Sequence, residues 1–457
     1  MTKLKGKKVL IVGLGRTGHS AAKYLHAQGA KVTVTDTKHK ADFTNVLKDL
    51  EPLKLVYEFG KSSEKVFLSH DLIVLSPGVP RALPEIQAAI KAGIPITNDL
   101  ELARDAIKVP IIAVTGTNGK TTTTTMITEM LKNDGKTVFT GGNIGVPVLD
   151  VLNLGLNPDC VVLEVSSFQC ESFTNFKADV TVLTNLEPDH LDRYPSIEDY
   201  YNAKRLIIQN SDESSTLILN MDNPASAKWA EGYKGKLLYF SKRDPLTIDG
   251  GISEKFKGTY LKRPKIISKI SGRETTFDIL GCRLPGDHNR ENFMAAISAA
   301  LCVGCSQTAI QKTIMEFRGV PHRLEFVRRK DGVTIFNDSK GTNVASVLRS
   351  IGSFNAPIIL IAGGRDKDQD FGPLIDPVKK KVKNLILLGE AKEKINRTLG
   401  DFSETFLVGT FEEAVLLSFQ KSRNGDVILF SPACASYDMF KNFEERGEYF
   451  RKLVLQL

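Results

Sequence analysis

Long apolar runs are missing from this 457-residue sequence, and none approaches the roughly 20 residues that a helix needs to cross a bilayer. The first eight residues are rich in lysine and lead straight into an apolar strand, without the apolar segment and cleavage site of a signal peptide. We therefore expect a cytoplasmic protein with no membrane partner.

Cysteine is scarce, and the six cysteines are scattered along the chain. Cys302 and Cys305 form a C-x-x-C pair, but it lies in an alanine-rich stretch that favours helix, and no second pair completes a zinc site. We expect these two thiols to pack in a core rather than to bind metal or to undergo redox chemistry.

Blocks of one charge sign are also absent. The net charge of +8 is spread over the chain, and no nucleic-acid-binding module is recognisable. An excess of lysine suits small anionic ligands equally well, so we expect no nucleic-acid partner. The Ser-His-Asp order, the nucleophile elbow and the kinase H-R-D loop are missing too, which argues against those classes of enzyme.

Short apolar strands alternate with helical segments along the chain, which predicts an α/β fold with mostly parallel sheets. The chain is too long for one core, and we expect domains at residues 1–107, 108–319 and 320–457. Short alternating runs at 245–285 predict an antiparallel excursion. The predicted strands span residues 8–13, 31–35, 71–75, 110–115, 159–165, 179–183, 215–219, 333–336, 358–362, 384–388 and 426–430.

The most informative segment is a glycine turn between the apolar run at 110–115 and a helical stretch at 122–132. In nucleotide-binding proteins such a turn lets backbone N–H groups approach phosphates, while a lysine neutralises charge and a hydroxyl binds Mg²⁺. Val114 stands where the usual loop has its first glycine, so a helix cap that happens to contain Gly-Lys is the alternative. The predicted ATP-phosphate residues are Gly116, Thr117, Asn118, Gly119, Lys120, Thr121 and Thr122.

A second glycine motif, Gly13-x-Gly15-x-x-Gly18, follows the first strand and opens a helix, as in a dinucleotide-binding fingerprint. NAD is one ligand that it suits, but we favour a nucleotide or a nucleotide sugar. A tight turn without a ligand is the alternative. The nearby residues that suit a diphosphate or a ribose are Thr17, Asp36, Thr37 and Lys38, with Gly78 in the loop after the strand at 71–75.

Glu164 lies at the end of the strand predicted at 159–165, and His190 follows the strand predicted at 179–183. Because the carboxyl ends of neighbouring parallel strands share one edge of a sheet, both side chains could face the triphosphate. Mg²⁺ prefers few protein ligands, with carboxylate oxygen first, so we predict Glu164 as a metal ligand. A lone histidine is usually a packing residue, but the acid-rich loop favours a functional His190. Lys204, on a predicted helix, has by itself the character of a solvated surface lysine.

Three loops of the last block follow successive predicted strands, at residues 337–343, 363–367 and 431–437. Lys340, Thr342, Lys367 and Ser436 in these loops could converge on a small anion with carboxylates, and Asp338 could orient an adenosine or a metal shell. The alternative is that each loop only caps a helix. Three such loops at one sheet edge favour a site.

Together these segments resemble the Mur ligase family, the ATP-dependent amide-forming enzymes of bacterial peptidoglycan assembly. The resemblance rests on Thr-Gly-Thr-Asn-Gly-Lys-Thr-Thr at 115–122, Asp-Ser-Lys-Gly-Thr-Asn at 338–343, Ser-Pro-Ala-Cys-Ala-Ser at 431–436 and Phe-Lys-Asn-Phe at 440–443, and it covers the whole chain. The last three motifs are most similar to the branch that adds D-glutamate to UDP-N-acetylmuramoyl-L-alanine. The resemblance implies a Rossmann-like N-terminal domain, a central P-loop ATPase domain and a Rossmann-like C-terminal domain.

The resemblance also implies the chemistry, and we separately expect a monomer. ATP would phosphorylate the carboxylate of the UDP substrate, and the amine of D-glutamate would attack the acyl phosphate. Two Mg²⁺ ions are implied, together with a carbamylated lysine at Lys204. The implied catalytic residues are Lys120, His190 and Lys204, and the implied metal ligands are Thr121, Glu164, His190 and carbamylated Lys204.

The remaining site residues are carried over from the family by motif. The UDP substrate is expected at Gly13, Gly15, Thr17, Gly18, Asp36, Thr37, Lys38, Gly78, Asn143 and Ser166. The nucleoside of ATP is expected at Asn289, Asn292, Arg323 and Asp338. D-glutamate is expected at Lys340, Thr342, Lys367, Ser436, Tyr437 and Phe443.

Parts of the sequence also suit three rival functions. Another ligase of the family is disfavoured by the motifs after Phe336, and an NAD-dependent oxidoreductase leaves the loop at 116–121 unexplained. A non-catalytic nucleotide-binding scaffold predicts ATP binding without hydrolysis in any mixture of substrates.

Overall fold

The computed structural model describes residues 4–60, 63–189, 193–245, 256–366 and 368–457. Contacts divide the chain into two units. The first unit comprises Met1–Ile279 and Glu291–Thr313, and the second comprises Leu280–Arg290 and Ile314–Leu457. Within the described ranges the strands form three sheets, two in the first unit and one in the second.

The N-terminal sheet has the strand order β3-β2-β1-β4-β5, and its paired strands are parallel throughout the described residues. β4 reads Leu-Ile-Val-Leu and is buried along its whole length, as expected for a strand covered on both faces. The strands are β1 Lys8–Val12, β2 Lys31–Asp36, β3 Val56–Phe59, β4 Leu72–Leu75 and β5 Ile96–Thr97; the helices are α1 Arg16–Ala27, α2 Thr44–Leu50, α3 Glu64–Leu68, α4 Pro84–Lys91 and α5 Asp99–Arg104.

The central sheet belongs to the first unit as well, and its order among the described residues is β14-β13-β12-β11-β10-β9-β6-β8-β7. Pairing is parallel from β7 to β12 and antiparallel in β12–β13 and β13–β14. The strands are β6 Ile111–Thr115, β7 Val138–Gly142, β8 Cys160–Glu164, β9 Val180–Leu183, β10 Thr216–Asn220, β11 Lys236–Ser241, β12 Gly258–Lys262, β13 Lys265–Ile270 and β14 Arg273–Asp278. The helices are α6 Lys120–Asn133, α7 Asp150–Asn153, α8 Ser167–Cys170, α9 Ile197–Arg205, α10 Pro224–Ala227, α11 Asp287–Cys302 and α12 Gln307–Glu316.

The third sheet lies in the second unit and has the order β15-β16-β20-β17-β18-β19. Only β15 pairs antiparallel in this part of the described chain. The strands are β15 Glu325–Lys330, β16 Val333–Asn337, β17 Ile358–Gly363, β18 Val382–Leu388, β19 Glu404–Leu407 and β20 Val427–Phe430; the helices are α13 Val344–Gly352, α14 Ile375–Lys381, α15 Lys392–Leu399, α16 Phe411–Lys421 and α17 Phe443–Gln456.

The predicted α/β class and each predicted strand are confirmed, with ends that differ by at most two residues. The antiparallel excursion expected within 245–285 corresponds to β12–β14. Each of the predicted domains, 1–107, 108–319 and 320–457, contains one sheet, while contacts group the first two sheets in one unit. The domain boundaries themselves stay a prediction.

The C-x-x-C pair packs as expected for small apolar residues. Cys305 is buried and Cys302 is partly buried, and both thiols are free. Burial raises the pKa of Cys302 to about 11 and that of Cys305 to about 12, so neither thiol ionises near neutral pH. Among the described residues no group of three metal-ligating side chains surrounds them or occurs elsewhere.

Over the described part of the chain, no helix combines the length and the apolar character that crossing a membrane requires.

The core of the second unit depends on aromatic packing beneath α17. Phe450 is fully buried, and its ring lies 4.8 Å from that of Phe430. Phe450→Ala should lower the free energy of unfolding by about 3–5 kcal/mol, because a large ring leaves a cavity that the core fills only partly. The matched control is Leu455→Ala on the same helix, where the side chain is 53% exposed and a change within about 0.5 kcal/mol is expected. Chemical denaturation followed by far-ultraviolet circular dichroism measures both; equal losses would contradict this description of the core.

Candidate nucleotide and amino-acid sites

The turn between β6 and α6 requires glycine at two positions for reasons of backbone geometry. Gly116 has φ of +138° and Gly119 has φ of +82°, both in the region that favours glycine. A Cβ on Gly116 would overlap the hydroxyl oxygen of Thr184, and a Cβ on Gly119 would overlap the amide oxygen of Asn292. The loop therefore lies closer to its neighbours than any other residue type allows.

Residues that follow β9 hold this loop in place. The backbone N–H of Thr117 donates to the carbonyl of Asn185 at 3.0 Å, and the N–H of Asn118 donates to the Asn185 side chain at 2.9 Å. The hydroxyl of Thr184 donates to the carbonyl of Asn118 at 2.6 Å. β9 pairs with β6, so the sheet itself brings the two loops together. The glycine turn is therefore held in place by hydrogen bonds that its sequence motif does not reveal.

Two lysines converge on one carbonyl oxygen at the start of this turn. Lys120 Nζ donates to Gly116 O at 2.9 Å and to Thr117 O at 2.8 Å, and Lys204 Nζ donates to the same Gly116 O at 2.9 Å. The ammonium of Lys204 also lies 4.7 Å from the centre of the Tyr200 ring. A triphosphate anion is the kind of ligand that would relieve this crowding of positive charge.

The sequence context of Lys204 alone suggested a solvated surface lysine, and the structure shows instead that this lysine is buried. Its side chain is only 1% exposed, because α9 packs its inner face against the turn. Burial, followed by the positive charge of Lys120, lowers the pKa of Lys204 to about 7. The neutral amine is therefore available near physiological pH, which an exposed lysine does not provide.

Glu164 links two other predicted residues at the end of β8. Its carboxylate is buried and accepts a hydrogen bond from the Thr121 hydroxyl at 2.7 Å and another from the Asn143 amide at 2.8 Å. β8 lies between β6 and β7, so the strand order places all three side chains at one sheet edge. A hydroxyl and a single carboxylate are the donor set that suits Mg²⁺, which completes its shell with waters and phosphate oxygens.

His190 and Ser166 were also predicted near this edge of the sheet. His190 lies outside the described residues. Ser166 is the N-cap of α8, where its hydroxyl accepts from the backbone N–H of Gln169 at 3.3 Å and donates to the Gln169 side chain at 3.1 Å. That capping role explains why a serine stands there independently of any substrate.

The fingerprint residues of the N-terminal sheet lie together at its carboxyl edge, as predicted. Gly13 has φ of +96°, and a Cβ on Gly18 would overlap the Gly13 carbonyl. The Asp36 carboxylate accepts from the backbone N–H of Leu14 at 2.8 Å and of Lys38 at 3.0 Å. Asp36 thus shapes the glycine turn itself. Gly15, Thr37, Lys38 and Gly78 are exposed around this edge, and Thr17 is half-buried.

Within the first unit, side chains connect these loops to the central sheet. Arg16 donates to the carbonyl of Gly145 at 3.2 Å, and Asn98 donates to the carbonyl of Gln169 at 2.7 Å. Arg193 lies 3.7 Å from the centre of the Phe168 ring and contacts the carbonyl of Val79 at 3.5 Å. These contacts were missed by the motifs because the partners lie far apart in sequence.

The residues predicted for the nucleoside of ATP are split between the units. Asn292, in the first unit, is brought to the glycine turn, and the Thr123 hydroxyl donates to it at 3.3 Å. Asn289, Arg323 and Asp338 belong to the second unit. Asn289 is buried and donates to the carbonyl of Pro285 at 2.7 Å, whereas Arg323 is exposed.

Asp338 is engaged inside the second unit. One carboxylate oxygen accepts from the hydroxyls of Ser350 and Ser431, each at 2.7 Å, and the other accepts from the N–H of Leu324 at 3.1 Å. Burial raises the pKa of Asp338 to about 6. These bonds tie the loop after β16 to the loop after β20. A contact of Asp338 with adenosine stays a prediction.

The residues predicted for D-glutamate lie in loops that this unit does bring together. β16, β20 and β17 are neighbours in the sheet, so the loops that follow them emerge side by side. The ammonium of Lys340 lies 4.9 Å from the centre of the Phe443 ring. Ser436 is buried, Thr342 is half-buried and Tyr437 is 62% exposed. Lys367 lies outside the described residues.

Comparison with protein families gives three matches that together cover most of the chain. A Mur ligase MurD-like N-terminal domain matches residues 7–98, a Mur ligase middle domain matches 114–300, and a Mur ligase glutamate ligase domain matches 322–434. The chain is 46% identical over 459 residues to the UDP-N-acetylmuramoylalanine–D-glutamate ligase of Bdellovibrio bacteriovorus, covering 99% of this chain and 98% of that protein. The ligase of the same name from Geotalea uraniireducens is 43% identical over 454 residues, with 99% and 98% covered.

Solved structures share the fold at low sequence identity. The MurF ligase of Thermotoga maritima in complex with ADP is 17% identical, with a TM-score of 0.56 over 100% of both chains. The UDP-N-acetylmuramate–alanine ligase MurC of the same organism is 20% identical, with a TM-score of 0.56 over 98% of this chain and 99% of that one. At such identities the likeness supports the fold alone.

Proposed function

This chain belongs to the Mur ligase family, and we propose that it joins D-glutamate to UDP-N-acetylmuramoyl-L-alanine in peptidoglycan synthesis, with ATP as the source of energy. The observation that carries the proposal is the convergence of Lys120 and Lys204 on the carbonyl of Gly116, beside the Thr121–Glu164 pair. The similarity to D-glutamate ligases over 99% of the chain supports the choice of substrates.

In the first step, a carboxylate oxygen of the L-alanine moiety attacks the γ-phosphorus of ATP. The bond from that phosphorus to the bridging oxygen of ADP breaks, and an acyl phosphate forms on the UDP substrate. Lys120 neutralises the charge that accumulates on the phosphate oxygens, and the glycine turn presents backbone N–H groups to them. The catalytic contribution of this part of the chain is positioning and charge neutralisation.

In the second step, the amine of D-glutamate attacks the carbonyl carbon of the acyl phosphate. The tetrahedral intermediate collapses to the amide as the carbon–oxygen bond to phosphate breaks, and the proton lost by the amine nitrogen is taken up by the released phosphate. D-glutamate is bound by Lys340, Thr342, Lys367, Ser436, Tyr437 and Phe443, where the two lysines offset its carboxylates.

The proposal includes two Mg²⁺ ions, which when bound would neutralise phosphate oxygens and orient them. Thr121 and Glu164 suit one ion, and His190 with a carbamylated Lys204 suits the other. The buried amine of Lys204, with its lowered pKa, supports carbamylation because only a neutral amine adds CO₂. The product is an anion, and that removes the repulsion between Lys204 and Lys120.

The proposal assigns the UDP substrate to the carboxyl edge of the N-terminal sheet, together with Asn143 and Ser166. It assigns the nucleoside of ATP to Asn289, Asn292, Arg323 and Asp338. We further propose a cytoplasmic location, since ATP is a cytoplasmic metabolite, and we propose a monomer. The domains expected at 1–107, 108–319 and 320–457 are part of the same proposal.

The direct test of the function is ADP formation with UDP-N-acetylmuramoyl-L-alanine and one amino acid at a time. D-glutamate should support turnover, and L-glutamate and L-alanine should not, because the amine of the wrong enantiomer or residue is misplaced. Lys120→Ala should lower kcat at least about 100-fold, while Lys132→Ala, an exposed lysine on the same helix, should not change it. ADP release that ignores the amino acid would contradict the proposal.

The carbamate can be tested by labelling. Protein equilibrated with ¹³C-bicarbonate should show one carbamate carbon signal by NMR, and Lys204→Ala should remove it, because Lys204 combines burial with a pKa near neutrality. Lys204→Ala should also lose kcat at least about 100-fold and regain part of it in millimolar acetate, which supplies a small carboxylate. Lys228→Ala, at a lysine that is 67% exposed, is the control. A carbamate signal that persists in Lys204→Ala, or full activity of that variant without acetate, would refute this assignment.

A further inference from the structure

Arg446 on α17 is a buried arginine that none of the sequence motifs singled out. Its side chain is 1% exposed, which is unusual for a residue that carries a charge. Burial lowers the pKa of Arg446 to about 10, which still leaves it charged at neutral pH. A charge placed there needs several hydrogen bonds to offset its loss of hydration.

Those hydrogen bonds go to the loops that carry the candidate D-glutamate residues. The Nε and one terminal nitrogen of Arg446 donate to Ser339, to its hydroxyl at 3.1 Å and to its carbonyl at 2.8 Å. The terminal nitrogens also donate to the carbonyls of Cys434 at 3.1 Å and Ala435 at 3.0 Å. Ser339 immediately precedes Lys340, and Ala435 immediately precedes Ser436.

Two further sets of contacts connect other residues to this hydrogen-bond network around Arg446. The Ser339 hydroxyl, which accepts from Arg446, donates to the carbonyl of Phe443 at 2.8 Å. The backbone of Phe443, whose ring lies beside the Lys340 ammonium, is therefore hydrogen-bonded to the same serine. The loop after β17 joins through Arg365, whose backbone exchanges two 3.0 Å hydrogen bonds with Ala435. A Cβ on Gly364 would come within 3.1 Å of an Arg446 nitrogen, so this loop packs directly against the guanidinium.

We infer that Arg446 is a positioning residue for D-glutamate, whose planar guanidinium sets the spacing of the loops that carry Lys340, Ser436 and Phe443. The inference rests on the proposed function, because it takes those loops as the amino-acid site. Arg446 donates to loop oxygens, and in this inference it acts on the substrate through those loops. A lysine cannot replace it, since a single ammonium lacks the fork that reaches Ser339, Cys434 and Ala435 together.

The test compares Arg446→Lys with Arg328→Lys. Arg328 provides the matched control, because it donates from β15 to the carbonyls of Val454 and Leu455 at the end of the same helix, each at 3.2 Å, and touches none of these loops. Arg446→Lys should raise the KM for D-glutamate about 10-fold or more and leave the KM for the UDP substrate within about 2-fold. Arg328→Lys should lower the melting temperature without changing either KM.

Ser339→Ala keeps the inference testable if Arg446→Lys does not fold. It removes the oxygen that links Nε of Arg446 to Phe443, and it should raise the KM for D-glutamate about 3-fold. An unchanged KM for D-glutamate in the folded variants, with only a lower melting temperature, would overturn the positioning role and leave the proposed function intact. If the wild-type enzyme releases no ADP in response to D-glutamate, the proposed function fails instead.

Discussion

Two lysine side chains donate to one carbonyl oxygen at the turn between β6 and α6, and the proposed chemistry depends on how their charges are balanced. Lys120 and Lys204 each approach Gly116 O at 2.9 Å. Two ammonium groups so close together repel each other strongly in a buried setting. The lowered pKa of Lys204 is one response to that repulsion, and anions such as a triphosphate or a lysine carbamate would be others.

The sheet topology explains why this turn is rigid enough to hold such groups. β6 lies between β8 and β9, so the loop after each strand emerges beside the glycine turn. β8 ends at Glu164, and the loop after β9 carries Thr184 and Asn185, which hold the turn from the other side. The same arrangement recurs in the second unit, where Arg446 fastens loops that follow neighbouring strands. In both units, buried polar groups fix loops that the helices and strands alone would leave loosely defined.

Local patterns predicted those parts of the molecule in which nearby residues decide the structure. The run from β6 through the glycine turn into α6 is an example, and so is the antiparallel part at β12–β14. β3, β5, β7, β11, β15 and β19 were not predicted. All of these strands except β11 lie at an edge of a sheet, and most contain exposed or half-buried residues instead of forming a continuous apolar run. The burial of Lys204 was missed for a different reason. Its side chain is covered by Gly116 and Tyr200, and Gly116 is far away in sequence and is brought to Lys204 only by the fold. Arg446 was missed likewise, since its partners at Ser339 and Cys434 belong to other loops. The roles of the site residues remain predictions, and Asp36 and Asp338 already serve the backbone around them.

A crystal structure of the enzyme with Mg²⁺ and a non-hydrolysable ATP analogue would show whether the turn between β6 and α6 binds the triphosphate. We expect the β- and γ-phosphates within hydrogen-bonding distance of the backbone N–H groups of residues 119–121, with Lys120 Nζ turned from Gly116 O toward the phosphate oxygens. A triphosphate bound at any other place, with Lys120 still donating to Gly116 O, would contradict it.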